Sequence, residues 1–252
     1  MDLSSLKREA PAVYKPCVTS TNTILKGLAM NGSIPDGFAL AASKQTSGRG
    51  RLGRSFQSPD GGLYLSMLLY PRCSLEQTAQ LTPCVAVAVS RAIERVCGVT
   101  PDIKWPNDLL LGGKKLCGIL VESSTVRGRS FVVIGIGINV NTPDDGFPEE
   151  LRGAAGSLMS ALGRQVDTEA LARAEIEELD KMYAAWKLEP RCCLDDYRRM
   201  CISTGRRVTL IRNGEKREAY ASGIDDNYAI IVETGDGVEH ISTGEVSLRN
   251  AD

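Results

Sequence analysis

The chain reads as α+β: a larger domain over residues 1–203, built of strands and helices, and a small antiparallel β-barrel over residues 204–252. Three observations predict this. Apolar patterns with a helical period follow residues 74 and 167 and run too long for strands. Short apolar or β-branched runs lie elsewhere in the first 200 residues, at 63–70 and 131–141. Past Gly205 the pattern changes to short β-runs at regular spacing with polar turns between them.

At 252 residues and 42% hydrophobic, the chain can bury a sizeable core. A formal net charge of −1 excludes a global basic surface for nucleic acid. No apolar run is long enough to span a membrane. The charged N-terminal stretch MDLSSLKREAP does not read as a signal peptide. The eight cysteines contain no C-x-x-C pair and are scattered, apart from the adjacent Cys192 and Cys193. Reduced, buried thiols in a cytoplasmic protein are expected, with neither a structural metal nor a disulfide.

Taken in order, Ser20, Thr21 or Asn22 caps a helix through Ile24, Leu25 and Leu28 that Asn31-Gly32 stops. Capping accounts for the three polar residues; a spare hydroxyl aimed into a pocket is the functional alternative. Residues 38–46 form a short buried strand. Ser58-Pro59-Asp60-Gly61-Gly62 is turn chemistry, and residues 63–70 make a strand. Ser74 with Gln77 fits a capping box, and the helix that follows runs through Leu81, Val85, Val89 and Ile93 to Gly98. A polar cluster, Asp102-Ile103-Lys104-Trp105-Pro106-Asn107-Asp108, comes just after a strand start. Gly112-Gly113 opens a hairpin-like turn into a strand over 115–122. Lys115, at its start, reads by itself as a solvated hairpin residue.

Residues 131–141 form a strand with Gly135 and Gly137 on one face. Such glycines mean either that a flat ligand or another backbone comes close, or that a helix packs tightly. Asp167 or Thr168 caps a long helix that Pro190 ends, and residues 191–201 form one more. The β-runs of the barrel are RRVTLIR, KREAYASGI, YAIIVET, VEHIS and EVSLRN. Fewer than about 50 residues give a barrel little independent stability, so it should pack on the larger domain. His240 is the only histidine and is read as structural, which leaves no case for a histidine-based triad.

One loop stands apart: Ser47-Gly48-Arg49-Gly50-Arg51-Leu52-Gly53-Arg54-Ser55-Phe56. Arginine forks suit carboxylate and phosphate oxygens, and glycines let backbone approach a ligand. Without a ligand, three like charges should keep residues 48–56 mobile; an anion would order them. A solvated loop and a basic patch are the other readings. No Gly-Lys-Ser/Thr follows, which excludes a Walker A loop, and the dinucleotide fingerprint lacks its acidic residue.

Together these pieces resemble the biotin protein ligases. The resemblance spans roughly residues 17–249 and runs in the family's order. It rests on Ser20-Thr21-Asn22, on Gln45 ahead of Gly48-Arg49-Gly50-Arg51-Leu52-Gly53-Arg54, and on Lys104-Trp105-Pro106-Asn107-Asp108. It continues through residues 115–122, Gly135-Ile136-Gly137-Ile138-Asn139 and Gly244-Glu245-Val246-Ser247-Leu248-Arg249. It implies a mixed sheet flanked by helices, similar to the core of class II aminoacyl-tRNA synthetases, with a C-terminal barrel of the Src-homology-3 type.

The implied reaction joins biotin and MgATP as biotinyl-5′-AMP with release of pyrophosphate. The acyl group then passes to a lysine of a biotin carboxyl carrier protein domain. By matching positions, Ser20, Thr21 and Gln45 would hold the ureido head of biotin. Gly48, Arg49 and Arg51 would hold the carboxylate and the adenylate phosphate, with Gly118 beside the biotin. Lys115 becomes the main catalytic cation, which reverses its reading as a solvated residue. Asn22, Arg54, Phe56, Asn107, Asn139 and Arg249 would serve the nucleotide. Asp108 would support Mg2+ or orient and deprotonate the incoming amine.

Two departures stand out. Phe56 replaces a tryptophan common in the family, and only 16 residues precede Cys17, too few for the winged helix-turn-helix that some members carry. A ligase without a DNA partner is therefore expected, and the resemblance also admits a homodimer. A lipoate–protein ligase of the same fold is the alternative; GRGRxGR and the intact KWPND motif argue against it. A non-catalytic module of the same fold is disfavoured because no catalytic motif is missing.

Overall fold

Two sheets organise the computed structural model, which describes residues 1–32, 34–126, 128–212, 214–242 and 246–250; residues 75, 76 and 246–250 are described by backbone alone. The larger sheet holds β1 (Ala12–Val18), β2 (Ala39–Gln45), β3 (Gly62–Leu69), β4 (Asp102–Lys104), β5 (Asp108–Leu111), β6 (Lys114–Val126) and β7 (Arg129–Asn139). Their order is β1-β2-β3-β7-β6-β5-β4. β1 and β2 run parallel and the other neighbours antiparallel, so the sheet is mixed. Helix α1 (Thr21–Met30) covers part of one face. The main core holds the other face, with α3 (Leu81–Cys97) and α5 (Thr168–Leu188) as its principal helices; α2 (Leu75–Ala79), α4 (Leu158–Leu162) and α6 (Leu194–Met200) are shorter.

Strand alternation sorts the side chains between these faces. Leu63, Leu65 and Met67 of β3 and Ile134, Ile136 and Ile138 of β7 join Val85, Val89, Leu171 and Leu179 in the main core. Leu68 and Val133 point the other way, toward Leu25 and Ala29 of α1. The ten residues of α1 span about 15 Å, whereas the eleven of β7 span about 36 Å. Part of that face is therefore left uncovered.

Ser20 is the cap of α1 and Asp167 that of α5, and the Ser74–Gln77 capping box is formed. The helix expected to run on from residue 74 is two helices. Pro83 lacks an N–H and is tolerated only in a first turn, so α3 starts afresh at Leu81. α6 starts at Leu194 rather than 191. β1 and α4 were not read from the sequence; β1 shows no inside–outside alternation and contains Pro16. Among the described residues no helix is long and apolar enough to cross a membrane.

The second sheet holds β8 (Arg206–Arg212), β9 (Glu215–Ile224), β10 (Ile230–Thr234), β11 (Gly237–Ile241) and β12 (Val246–Asn250), all antiparallel, in the order β11-β10-β9-β8-β12. The five runs read from the sequence are these strands. Among the described residues no pairing joins β11 to β12, so the expected closed barrel is found as an open sheet. The expected turn residues Asn213, Thr243 and Gly244 lie outside the described residues. Docking on the larger unit is as expected. Buried Tyr228 packs edge-on against Tyr197 of α6 with ring centroids 5.7 Å apart, and Arg198 Nε donates to Ile224 O at 3.0 Å. His240 is exposed, with Nδ1 2.8 Å from Asp225 Oδ2.

Candidate active site

The sheet face that α1 leaves open floors a cavity of about 300 Å³. Gly118 of β6 and Gly137 of β7 are register partners in that floor. A Cβ at Gly137 would lie 2.5 Å from the Phe56 ring, and one at Gly118 would lie 2.8 Å from it. Phe56 therefore rests directly on the two glycines. A Cβ at Gly135 would instead meet Asn22 Oδ1 at 2.1 Å. The helix reading of the strand glycines holds at Gly135, which admits the N-terminus of α1, whereas Gly137 admits neither a ligand nor a backbone but the side-chain ring of Phe56.

One wall is an uncharged hydrogen-bond network. Ser20 Oγ accepts from Thr23 N at 3.4 Å, which sets the first turn of α1 against the sheet. Thr21 N and Oγ1 donate to Gln45 Oε1 at 2.9 and 3.1 Å. Gln45 Nε2 donates to Ser58 Oγ at 3.0 Å, and Ser58 Oγ donates to Phe56 O at 3.0 Å. Ser66 Oγ lies 2.7 Å from Thr21 Oγ1 and 2.5 Å from Asn22 Oδ1. Ser20, Thr21 and Asn22 are buried yet line the cavity, so the capping role and the pocket role coexist.

Another part of the lining is cationic. Residues 48–56 fold back as a hairpin: Phe56 N donates to Gly48 O at 3.0 Å and Gly50 N to Arg54 O at 2.8 Å. A single 3-10 turn, Arg51–Gly53, forms the tip, with Leu52 at φ 56° and Gly53 at φ 72°. Arg49 Nη2 lies 3.4 Å from Glu122 Oε1, and Arg51 Nη1 donates to Asn107 Oδ1 at 3.1 Å. Burial pulls the Arg51 guanidinium below its ordinary value; Asp108 opposes this and Arg54 adds to it. Lys115 Nζ contacts Asp108 Oδ1 at 2.7 Å and stands 5.9 Å from the Phe56 ring centroid. The backbone of Lys115 is held on both sides, its N donating to Ala154 O at 2.8 Å and its O accepting from Gly156 N at 2.9 Å.

The sequence-predicted residues converge here, with three exceptions. Gly48 does not line the cavity. A Cβ there would meet Phe56 O and Ser58 Oγ, each at 2.4 Å, so the return leg of the hairpin is what requires glycine. Asn139 is buried behind the wall and donates to Gly156 O at 3.0 Å, one step from the Lys115 backbone. Arg249 lies on β12, paired in register with Thr209, and its side chain is outside the description.

Other residues were not assigned a part beforehand. Glu122 receives Arg49 and accepts from Asn22 Nδ2 at 3.1 Å. It lies two and four residues beyond Leu120 and Gly118 on one strand face, a period-2 signal that could have found it. Lys104, Trp105 and Ile211 line the cavity, whereas Glu122 stands behind Asn22 and Arg49. Ile211 comes from the second sheet, and nothing local in the sequence announces it.

Known proteins resemble this chain over most of its length. Residues 14–139 match the model of the biotin/lipoate A/B protein ligase family, and residues 204–249 match that of the biotin protein ligase C terminal domain. The bifunctional ligase/repressor BirA of Bacillus subtilis is 36% identical over 241 residues, covering 94% of this chain and 73% of BirA. The biotin–[acetyl-CoA-carboxylase] ligase of Mycobacterium tuberculosis is 30% identical over 233 residues, covering 90% of this chain and 85% of that protein. Among solved structures, the biotin protein ligase from Aquifex aeolicus in complex with biotin and ATP superposes with a TM-score of 0.82 at 29% identity, covering 95% of this chain and 99% of that one.

Proposed function

The chain belongs to the biotin/lipoate A/B protein ligase family, and from that premise we infer that it is a biotin protein ligase. It activates biotin with MgATP and passes the biotinyl group to a lysine of a biotin carboxyl carrier protein domain, the partner class that the acetyl-CoA-carboxylase ligase relatives indicate. One observation carries this reading. A neutral hydrogen-bond network and a set of cations line one small cavity. Biotin has that division: a neutral ureido head with donors and acceptors, and a carboxylate at the end of its chain.

In the first step a carboxylate oxygen attacks the α-phosphorus and pyrophosphate leaves. The two anions repel, so cations fixed in advance lower the barrier. Arg49, Arg51 and Lys115 suit that task, with Ser20, Thr21 and Gln45 on the ureido head. Lys115 would exchange Asp108 for substrate oxygens, and Arg49 would exchange Glu122. Asp108, released in this way, suits the second step, where the lysine amine attacks the acyl carbon, loses a proton and expels AMP. Mg2+ would be held chiefly by the phosphates. Asp108 is the one carboxylate among the described residues lining the cavity that could add an oxygen, and the ion would supply charge neutralisation on those phosphates. Phe56 would cover the ligand, Asn22, Arg54 and Asn107 would serve the nucleotide, and Arg249 would reach the same site from β12.

Finer parts of the reading follow. The division between domains falls at 203/204, supported by the second family match starting at 204 and by β8 starting at Arg206. The open sheet is of the Src-homology-3 type, supported by three consecutive hairpin partners with β12 returning beside β8. A cytoplasmic location and a homodimer through the side of the larger sheet complete it, the latter open to test by sedimentation. The decisive experiment incubates the chain with biotin, MgATP and a carrier domain and looks for a mass gain on one lysine. Lys115→Ala should slow adenylate formation by about 10²–10³-fold, the cost of removing a preorganised donor to a developing charge, with folding retained. An unchanged rate removes Lys115 from the mechanism.

A further inference from the structure

One of the cysteines scattered in the sequence, Cys84, meets the adjacent pair Cys192 and Cys193 in space. Cys84 lies on α3, and Cys192 and Cys193 lie in the turn between α5 and α6. Their Sγ atoms all lie within 4.8 Å of one another, and Cys192 and Cys193 are 3.7 Å apart. Cys84 and Cys193 are buried, while Cys192 is half-buried. The group is away from the active-site cavity, whose lining includes none of the three.

The spacing suits one tetrahedral centre. With metal–sulfur bonds of about 2.3 Å, two thiolates on a tetrahedral Zn2+ lie about 3.8 Å apart. A disulfide would use two of the three sulfurs and strand the third, whereas a metal uses all of them. Soft sulfur donors select Zn2+, Cd2+ or Cu+ over hard cations. Tyr228 Oη sits 3.4 Å from Cys84 Sγ and donates to Pro190 O at 3.3 Å. A cavity lined by Glu189, Pro190, Arg191 and Tyr228 includes none of the three cysteines; the half-buried Cys192 is the edge by which an ion and a water as fourth ligand would enter. Arg91, on the same helix as Cys84, is paired with Asp196 and lies near enough to Cys192 to temper the negative charge of three thiolates around a divalent ion.

We propose that Cys84, Cys192 and Cys193 form a structural site for one thiophilic metal ion, of the Zn2+ class, at the seam between the larger domain and the second sheet. The ion ties α3 to the α5–α6 turn, directly beneath the Tyr228 contact that docks the second sheet. Binding releases the thiol protons and leaves the sulfur oxidation state unchanged.

The test uses the full chain, reduced, stripped with chelator and kept anaerobic. It is titrated with Cd2+ for the ultraviolet sulfur-to-cadmium charge-transfer band, and with Zn2+ in competition with a chromophoric chelator. Saturation at one ion per chain with a thiolate band is expected, together with a higher thermal midpoint in Zn2+. Cys192→Ser, at the most exposed ligand, should weaken Zn2+ by at least about tenfold, the lower end of what loss of even an outer partner costs. Cys17→Ser, at the exposed thiol, should change nothing. Sub-stoichiometric uptake, or equal affinity in Cys192→Ser, overturns the proposal. So does a disulfide among the three as the only response to metal-free handling in air. If Cys192→Ser fails to fold, the wild-type stoichiometry and the Zn2+ shift in thermal midpoint still decide.

Discussion

Asn139 is placed to act on the proposed reaction from outside the cavity. Its amide holds Gly156 O, and Gly156 N holds Lys115 O. Asn139→Ala leaves a buried carbonyl without that donor, a loss of about 1–3 kcal/mol. It also loosens the segment that positions Lys115. A misplacement on the order of 1 Å can cost about a hundredfold. The turnover of adenylate formation should therefore fall toward that limit while KM for ATP stays near wild type. A raised KM with unchanged turnover would instead assign Asn139 to nucleotide binding.

A second residue-scale prediction concerns Glu175 of α5, which is fully buried with neither carboxylate oxygen bonded. Burial holds its carboxyl well above the ordinary value. In the unfolded chain it ionises near pH 4.3, so above that pH the folded state carries the extra proton. Stability then falls as pH rises from that point through the folded value. Glu175→Gln cannot ionise and should lose this slope. Urea unfolding at pH 5 and pH 8 checks it: the wild type should weaken relative to the variant at the higher pH. Parallel curves would refute it.

At the scale of elements, the hairpin of residues 48–56 is the moving part of the proposed reaction. Its shape rests on Gly48, where any Cβ would strike Phe56 O and Ser58 Oγ. Gly48→Ala should displace the return leg, lift Phe56 from Gly118 and Gly137, and misdirect Arg49 and Arg51. Binding of biotin should weaken while the thermal midpoint changes little, because the loop adds no buried apolar residue at its tip; Leu52 is 56% exposed. Isothermal titration against both proteins reads this directly. In the wild type, hydrogen exchange over residues 48–56 should slow when biotin and ATP bind, and equal exchange in both states would sink the idea of a closing loop.

For the whole molecule, the seam between the sheets is decided by Tyr228. It is buried, carries φ 62°, packs on Tyr197 and contacts Cys84 and Pro190. A non-glycine residue is held in that strained region only when its surroundings demand it. Tyr228→Ala should cost about 3–5 kcal/mol, the range for losing a large buried aromatic ring. Ile211 would lose its place in the active-site wall at the same time. Calorimetry should show one lowered transition, because the small sheet lacks a core of its own. Two separated transitions would mean that it stands alone.

Taken by itself, the sequence determined the composition of the site and much of the order of elements. Caps at Ser20, Ser74 and Asp167, the strand runs past Gly205, and the motifs at residues 48–54 and 104–108 are local patterns, and local patterns are legible because neighbours in the chain enforce them. Tertiary structure alone decided what each residue meets. Lys115, a solvated hairpin lysine by its local pattern and a catalytic cation by the family resemblance, lies 2.7 Å from Asp108 of β5. Gly137 could face a ligand or a helix until Phe56, 81 positions earlier, comes to rest on it. The cysteine trio and the contribution of Ile211 are invisible for the same reason. They join segments more than 70 residues apart, and such meetings are set by sheet order and packing, which no short window of sequence contains.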